Sequence, residues 1–461
     1  MKVSVQKSVL LFAAAASIGG CSDDPVDNLP DTGGNGSDTR VDDVLNDSGM
    51  DVSAEVVDTL SDGSTDVADG SEPPTFDVPL AADSPWPKFR RDARQTGYSP
   101  VVLEDDGRAL FVFPTGKGIF SSPVVGGDGT VYIGSADRTF YAINPDGTER
   151  WAFDAPEEII DSSGLLDDRG NVYFGAGDGH VYALNASTGE EVWRFEADEP
   201  GDGAFIRWFE GNVAIGPDGT LYAPNDNFYV YAINRDDGTR VRRFRMPDQT
   251  WSLPAIDPEN GNLYMGNNNV VGALGNVFAY EPGGRLRWFE GTDGTIAASP
   301  LLYDDQMIVG GFDGILRSFD TADGDLNWSF ETRDHIYASP SLHPDGFLVQ
   351  ASADGTVFAV NPENGEQEWA YDWGAPIRSS PAIDGSGIIY MGTGDGHLLV
   401  LNSDGTLRWA LRLIEDDRDD LNASPALGTH AIYLAGESGG VFGVPFDYCL
   451  RSAESENPAC R

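Results

Sequence analysis

The sequence predicts an all-β fold, an eight-bladed β-propeller made of four-stranded antiparallel blades. A unit of about 40 residues recurs from Trp86 onward, and each unit contains four short runs of alternating apolar residues. In the clearest unit, residues 161–195, these runs are separated by Gly, Asp or Asn, which are typical of hairpin turns. The chain has 461 residues, and one closed ring can use most of that length.

The fourth run of seven units starts at a glycine and has a characteristic residue four positions later. Six of these residues are tryptophans, which we interpret as rings that pack between blades: Trp151, Trp193, Trp288, Trp328, Trp369 and Trp409. Tryptophans that stack on ligands would not be expected at one place in almost every blade. The seventh residue is Arg242, so the third blade is expected to dock differently.

The number of blades follows from the inner strands. Eight of them are predicted, and they begin at Ser122, Ser163, Asn212, Leu253, Ser299, Ser339, Ser380 and Ser424. Since seven outer strands are recognisable, the missing one must come from the N-terminal side of the first unit. The run 110–113 has the required pattern, and we expect it to close the ring by pairing with residues 441–444.

The N-terminus has the pattern of a secretion signal. Lys2 and Lys7 precede a small-residue apolar run that ends in Ile18-Gly19-Gly20-Cys21, which resembles a bacterial lipobox. We expect a signal peptide over 1–21 and lipidation of Cys21; an ordinary signal peptide that contains a cysteine is the alternative. Ser22 follows the cysteine, which favours the outer membrane, with the protein facing the periplasm or the cell surface.

The next segment is acidic. Between Ser22 and Asp83 there are 17 acidic residues and one basic residue, and such a segment cannot bury enough apolar surface to fold. We therefore predict a disordered tether over 22–85 and a propeller over 86–448. The net charge of −46 excludes nucleic acid as a partner, and membrane contact is expected through the lipid anchor alone.

The remaining cysteines, Cys449 and Cys460, follow the last repeat. In an oxidising compartment they are expected to form one disulfide in a C-terminal tail over 449–461, with a metal site as the weaker alternative. The sequence contains no H-E-x-x-H motif, nucleophile elbow, P-loop or dinucleotide fingerprint, so no catalytic residue and no metal site is predicted.

A binding site is expected where the repeat varies. The residue three positions before the proline or its equivalent in each inner strand is predicted to lie at the mouth of the channel, and the residue before it hardly varies. Around the ring these mouth residues are Phe120, Asp161, Glu210, Trp251, Ala297, Tyr337, Arg378 and Asn422. They are either a surface selected for a partner or positions that drift without constraint.

Two insertions should lie beside Trp251. One, residues 196–210, carries Phe205, Arg207 and Trp208, and the other spans residues 267–275. Aromatic residues with an arginine are plausible anchors for a protein or peptide partner, or a surface that stacks on glycans. Alternatively, the first insertion folds back and covers its own aromatic residues.

The Gly-x-x-x-Trp repeat and the leader 86–97, which begins Trp86-Pro87-Lys88-Phe89, resemble the quinoprotein-like (PQQ-like) propeller superfamily. One of its branches contains PQQ-dependent dehydrogenases, many of which carry a vicinal Cys-Cys pair that this sequence lacks. The other contains scaffolds of the BamB type, which are lipoproteins. The resemblance implies a monomeric, non-catalytic envelope scaffold without a cofactor; the alternatives are a PQQ-dependent dehydrogenase and a glycan-binding surface propeller.

Overall fold

The computed structural model describes residues 76–461, except for 157–158, 202–203, 269–274, 416–419, 452–453 and 455–456. The proposed signal peptide, Cys21 and most of the proposed tether lie outside the described residues. Within the described part there are 32 strands and one 3-10 turn at Tyr448–Leu450. No helix among these residues has the length and apolar character needed to cross a bilayer.

The strands form eight antiparallel sheets of four, which confirms the predicted eight-bladed propeller. Strand β1 (Phe111–Pro114) belongs to the last blade, and blades one to seven then follow in chain order. Blades one to four consist of β2 (Val124–Val125), β3 (Val131–Gly134), β4 (Thr139–Ile143), β5 (Glu149–Asp154); β6 (Leu165–Leu166), β7 (Asn171–Gly175), β8 (His180–Asn185), β9 (Glu191–Glu196); β10 (Ala214–Ile215), β11 (Thr220–Asn225), β12 (Tyr229–Asn234), β13 (Arg240–Arg245); β14 (Ala255–Ile256), β15 (Leu263–Gly266), β16 (Gly275–Tyr280), β17 (Leu286–Thr292). Blades five to eight consist of β18 (Leu301–Tyr303), β19 (Gln306–Gly310), β20 (Ile315–Asp320), β21 (Leu326–Glu331); β22 (Ser341–Leu342), β23 (Leu348–Ala351), β24 (Thr356–Val360), β25 (Gln367–Asp372); β26 (Ala382–Ile383), β27 (Ile389–Gly392), β28 (His397–Leu401), β29 (Leu407–Arg412); β30 (Ala426–Leu427), β31 (Ala431–Ala435), β32 (Gly440–Pro445) and β1.

The inner strands are joined by a ring of hydrogen bonds around the channel. Every inner strand begins two residues after its predicted Ser or equivalent position, and there the backbone N–H of one blade donates to a side-chain oxygen of the next. Seven such bonds of 2.5–2.9 Å link, in order, Leu253, Ser299, Ser339, Ser380, Ser424, Ser122, Ser163 and Asn212. Leu253 has no side-chain oxygen to accept an eighth bond, so this ring is open between blades three and four.

The ring closes in blade eight, as predicted. Strand β1 pairs with β32, with Phe111 opposite Gly443 and Phe113 opposite Val441. This pairing covers an edge that a linear array of blades would leave open.

In the Gly-x-x-x-Trp motif, the glycine of one blade contacts the tryptophan of the preceding blade. A Cβ on Gly189, Gly238, Gly324, Gly365 or Gly405 would lie within 2.8 Å of the tryptophan ring of the preceding blade. Five of the indoles also donate to a backbone carbonyl of the next blade at 2.8–3.1 Å, and Trp409 donates to Asp447 at 3.2 Å. Glycine is required here because any side chain would occupy the place of the indole.

Blade three divides the role of the missing tryptophan between two residues. The guanidinium of Arg242 donates to the carbonyl of Pro282 in blade four at 3.3 Å, where an indole would donate. The ring of Phe244, two residues later, takes the place against Gly284. Blade three therefore docks differently, as expected from Arg242: the guanidinium of Arg242 makes the hydrogen bond and the ring of Phe244 makes the packing contact that a single tryptophan makes in other blades.

The leader runs across one end of the channel. Its backbone bonds to the ends of inner strands in blades one, two, four, five, six and seven, for example from Ile256 to Ala93 and from Leu302 to Arg94, both at 2.9 Å. Arg90 is 1% exposed and donates to the carbonyls of Pro340 and Pro381 and to the hydroxyl of Ser341. The leader thus closes this end of the channel with a buried cation.

The folded chain begins earlier than the predicted tether boundary at residue 85. Val78 and Leu80 are buried, and Leu80 forms a β-bridge with Asp167 of blade two. The acidic composition of this segment led to a prediction of disorder that included Val78 and Leu80. These two apolar side chains nevertheless pack against the preformed surface of the propeller.

The C-terminal tail lies along the outer edge of blade seven. Cys449 and Cys460 form a disulfide with a Cα–Cα distance of 5.6 Å. Beyond it, the backbones of Ala410 and Arg461 exchange two hydrogen bonds, and Arg412 donates to Ala459. The tail therefore pairs with the outer edge of β29 through a short antiparallel β-bridge between Leu411 and Cys460.

Candidate functional site

The eight predicted mouth residues form a ring at the end of the channel opposite the leader. Each lies two positions before the hydrogen-bonded ring of the inner strands, whereas the leader contacts the far ends of those strands. Phe120 is 37% exposed and the other seven are half-buried. The residues immediately before them are all buried, namely Ile119, Ile160, Phe209, Thr250, Ile296, Ile336, Ile377 and Leu421. A buried framework therefore presents a variable surface.

A second ring of variable residues lies beside the first. In every blade the hairpin between the second and third strands donates one backbone N–H, at 2.7–3.1 Å, to the carbonyl two residues before the mouth residue. The donors are Ala136, Gly177, Asp226, Asn268, Phe312, Ala353, Gly394 and Glu437. Two of them are acidic, and sequence reasoning missed this ring. The repeat could have revealed it, because Asp226 aligns with Gly177 of the preceding unit.

Blades two and three bring three carboxyl groups together at the mouth. Asp161 and Glu210 are mouth residues, and Asp226 is the hairpin residue next to Glu210, 1% exposed. Oδ1 of Asp161 is buried, and among the described residues it has no hydrogen-bond partner. Trp251 of blade four borders the cluster, and its indole lies near enough to Asp226 to influence the pKa of that carboxyl.

Burial makes these groups hard to ionise. It raises the pKa of Asp161 to about 7. Burial, followed by repulsion from Asp248 and Asp161, raises the pKa of Asp226 to about 8, although the polar N–H of the nearby Trp251 indole opposes this change. For Glu210, burial and the charges of Asp226 and Asp161 raise the pKa well above its usual range. In the described part of the chain, none of the charges that shift these three pKa values belongs to a lysine or an arginine.

The insertion between blades two and three is fixed by its own polar contacts. Arg207 donates to Glu196 at 2.9 Å and to the carbonyl of Ala197 at 3.2 Å, so its charge is used inside the insertion. Its backbone carbonyl accepts from Asn225 at 2.8 Å. The alternative of a self-covered insertion describes part of this segment: Phe209 is buried and Trp208 is half-buried, but Phe205 is 92% exposed.

The opposite half of the mouth has compensated charges. Arg378 pairs with Asp420 at 2.6 Å and lies over the ring of Tyr337, 5.5 Å from its centroid. Asn422 donates to Glu437 at 2.8 Å. The ring of predicted residues thus divides into an acidic half on blades two to four and a half whose charged and polar groups already have partners.

Residues 269–274 of the second insertion lie outside the described residues, and so do residues 416–419 in the link before blade eight. Among the residues that are described, no group of three or more His, Cys, Asp and Glu side chains has the arrangement of a metal site.

Two cavities lie beside the leader. One of about 440 Å³ is lined by Arg94, Asp257, Glu259, Tyr264 and other residues of blades four and five. The other, of about 140 Å³, lies between the start of the described chain and the leader. Neither cavity is lined by a predicted mouth residue.

The mouth does not fit PQQ, the cofactor of the dehydrogenases in this superfamily. That cofactor carries three carboxylates, which need cationic or hydrogen-donating partners. Here it would meet Asp161, Glu210 and Asp226, while the guanidinium of Arg378 is already paired with Asp420.

Solved structures with the same architecture have different activities. BamB from Moraxella catarrhalis is 17% identical, with a TM-score of 0.59 over 75% of this chain and 100% of that one. Quinohemoprotein alcohol dehydrogenase from Comamonas testosteroni is 15% identical, with a TM-score of 0.62 over 79% and 80% of the two chains. A europium-containing methanol dehydrogenase is also 15% identical, with a TM-score of 0.62 over 76% and 89%. At such identities the likeness shows the fold alone.

The sequence itself gives a narrower assignment. A comparison with curated proteins finds no match. The family model described as outer membrane protein assembly factor BamB matches residues 99–243, 226–341 and 334–447, which together make up more than half of the chain. The chain therefore belongs to the BamB family of propeller proteins.

Proposed function

We propose that this protein is a non-catalytic scaffold of the bacterial cell envelope that binds a protein or peptide partner through the acidic half of its mouth. Lipidation at Cys21 would attach it to a membrane, with the outer membrane favoured. The observation that carries the proposal is the cluster of Asp161, Glu210 and Asp226, whose carboxyls have no cationic partner among the described residues.

The chemistry of the cluster indicates the partner's contact group. A lysine or arginine side chain would supply the missing charge and would allow the carboxyls to ionise at neutral pH. Trp251 borders the cluster and offers a ring face for the same cation. Phe205, 92% exposed on the neighbouring insertion, adds an apolar contact at the rim.

Site-specific photocrosslinking tests the surface. A photoreactive residue at Phe205 should capture a partner in cells, whereas the same residue at Leu326, exposed on the outer edge of blade five, should not. The Trp208→Ala/Trp251→Ala double variant, if it unfolds at the wild-type temperature, should lose the crosslink from Phe205. Capture of the same partner by this variant contradicts the proposed surface.

A separate assay tests the non-catalytic assignment. Purified protein mixed with PQQ and Ca²⁺ should show no dye-linked oxidation of alcohols or sugars. Turnover would favour the dehydrogenase alternative and would contradict a scaffold.

Lipidation is tested by the Cys21→Ala variant, which we expect to move from the membrane to the soluble fraction.

A further inference from the structure

The outer strand of blade three is basic in a strongly acidic protein. Strand β13 contains Arg240, Arg242, Arg243 and Arg245, all exposed, and no acidic residue. The corresponding strands of blades one, two, five and six each contain Glu or Asp. With a net charge of −46, four arginines among the six residues of one strand are a local reversal of charge.

The side-chain contacts leave positive charge on this strand. Arg240 and Arg243 share a single carboxylate, Asp198, which accepts from Arg240 at 2.5 Å. Arg242 donates to the neutral carbonyl of Pro282. Three guanidinium groups are thus held by one carboxylate and one carbonyl, and Arg243 is fixed over the ring of Tyr229 at 4.1 Å.

The backbone of β13 offers an edge for pairing. In blade seven the tail pairs with the backbone of Ala410 and Arg412, which follow Trp409 by one and three positions. Arg242 occupies the position of Trp409 in blade three, so the matching backbone groups are those of Arg243 and Arg245. Among the described residues, no strand pairs with this edge of β13. The tail therefore covers the outer edge of blade seven with a short extended segment, and blade three presents an equivalent edge flanked by arginines.

We propose that the outer edge of β13 is a docking site for an acidic, extended segment of a partner protein, which pairs with the strand through its backbone. Main-chain hydrogen bonds would supply affinity, and alternate acidic side chains would meet the arginines. The outer strand of blade two carries two glutamates and one arginine, and that of blade four carries one residue of each kind, so neither neighbouring edge has a net positive charge. Blade three is therefore selected by charge. This site is separate from the mouth and does not depend on the function proposed above.

Binding of a labelled peptide to the full chain tests the proposal. The probe is a fluorescein-labelled peptide of alternating glutamate and valine, compared with the same peptide N-methylated at alternate residues, which keeps the charges but blocks strand pairing. We expect the first peptide to bind and N-methylation to abolish binding. In the Arg240→Gln/Arg242→Gln/Arg243→Gln variant, the Kd should rise about tenfold. Arg285→Gln, which removes an exposed arginine from blade four, is the matched control and should leave the Kd unchanged.

Hydrogen exchange keeps the test informative if the triple variant is destabilised. In the wild-type chain, the peptide should slow exchange of the amides of Arg243 and Arg245 and leave those of β29 unchanged. Equal binding of the N-methylated peptide, or protection outside β13, overturns the proposal. Absence of any binding also overturns it, and would mean that the arginines only shield an open edge from unwanted pairing.

Discussion

The two ends of the channel carry buried charges of opposite sign and treat them differently. At the leader end, Lys88 donates to the carbonyls of Phe89 and Asp92 at 2.7 Å, and the terminal nitrogens of Arg90 bond to blades six and seven. At the mouth, Asp161, Glu210 and Asp226 repel one another. Burial disfavours the charge of Lys88, but hydrogen bonds to fixed partners hold the leader's cationic side chains in place. The mouth carboxyls have no cationic partner among the described residues, so their burial costs stability and they are available to a ligand.

Removal of Arg90 should have the largest effect on stability. The Arg90→Met variant leaves the carbonyls of Pro340 and Pro381 buried without their donor, and we expect the free energy of unfolding to fall by about 3 kcal/mol or more. Chemical denaturation measures this change. The control is Arg94→Met, in the same leader, whose side chain is 43% exposed and should matter little. Equal effects of both variants would mean that Arg90 does not join the blades.

Two neutralised aspartates should change stability in opposite directions. Asp226→Asn removes a carboxyl that burial makes hard to ionise, so this variant should be more stable at pH 7 by about 1 kcal/mol. Burial also raises the pKa of Asp384, but this carboxyl accepts from Ser386, Ile388 and Tyr390 at 2.8–3.0 Å. The Asp384→Asn variant loses part of these hydrogen bonds, so it should be less stable by about 1–3 kcal/mol. Destabilisation by both substitutions would remove the contrast between the mouth and a satisfied buried charge.

The fold and the mouth framework were predictable because both follow from the repeat. Ser122 and its equivalents start the inner strands, each docking tryptophan sits at a fixed distance from a glycine, and Phe111 supplies the missing strand. Asp226 was not predicted because it lies in a hairpin, and its proximity to Glu210 depends on how the hairpin folds back. The path of the leader could not be predicted, since it has no periodicity and buries Lys88 and Arg90, against the usual preference of such residues for solvent.

The free energy of unfolding should pass through a minimum near pH 7–8, where the titration of the mouth carboxyls ends and the titration of Lys88 begins. The folded-state pKa values of Asp161 and Asp226, about 7 and about 8, exceed their ordinary value of 3.8, so the folded chain binds more protons and stability falls as pH rises between these limits. Burial lowers the pKa of Lys88 from 10.5 to about 7, so stability rises again over that interval. Denaturation at a series of pH values measures both limbs.

Single variants assign the two limbs. Asp226→Asn should flatten the decline on the acid side, and Lys88→Met should remove the rise on the alkaline side. If stability instead increases steadily from pH 4 to pH 8 in the wild-type chain, the mouth carboxyls ionise normally and the contrast between the two ends fails.

The smallest effect on stability is expected at the rim of the mouth. Phe205→Ala should change the free energy of unfolding by less than about 0.5 kcal/mol, because its side chain is 92% exposed. Partner capture should nevertheless weaken, which separates a binding residue from a packing residue. Phe244→Ala, which removes a docking ring, is the matched comparison and should cost about 3 kcal/mol. An unchanged partner affinity in the Phe205→Ala variant would remove this residue from the binding surface.

The pairing of β1 with β32 also sets the order of events during folding. Phe111 is synthesised more than 300 residues before its partner Gly443, so the first strand waits until the last blade has formed. The entropic cost of closing a loop grows only with the logarithm of its length, so the great length of this loop adds little to that cost. The long separation between the two strands nevertheless delays their pairing. Until then blade eight has no outer strand and β1 has no sheet. Completion of the circle is therefore a late event that depends on both ends of the chain.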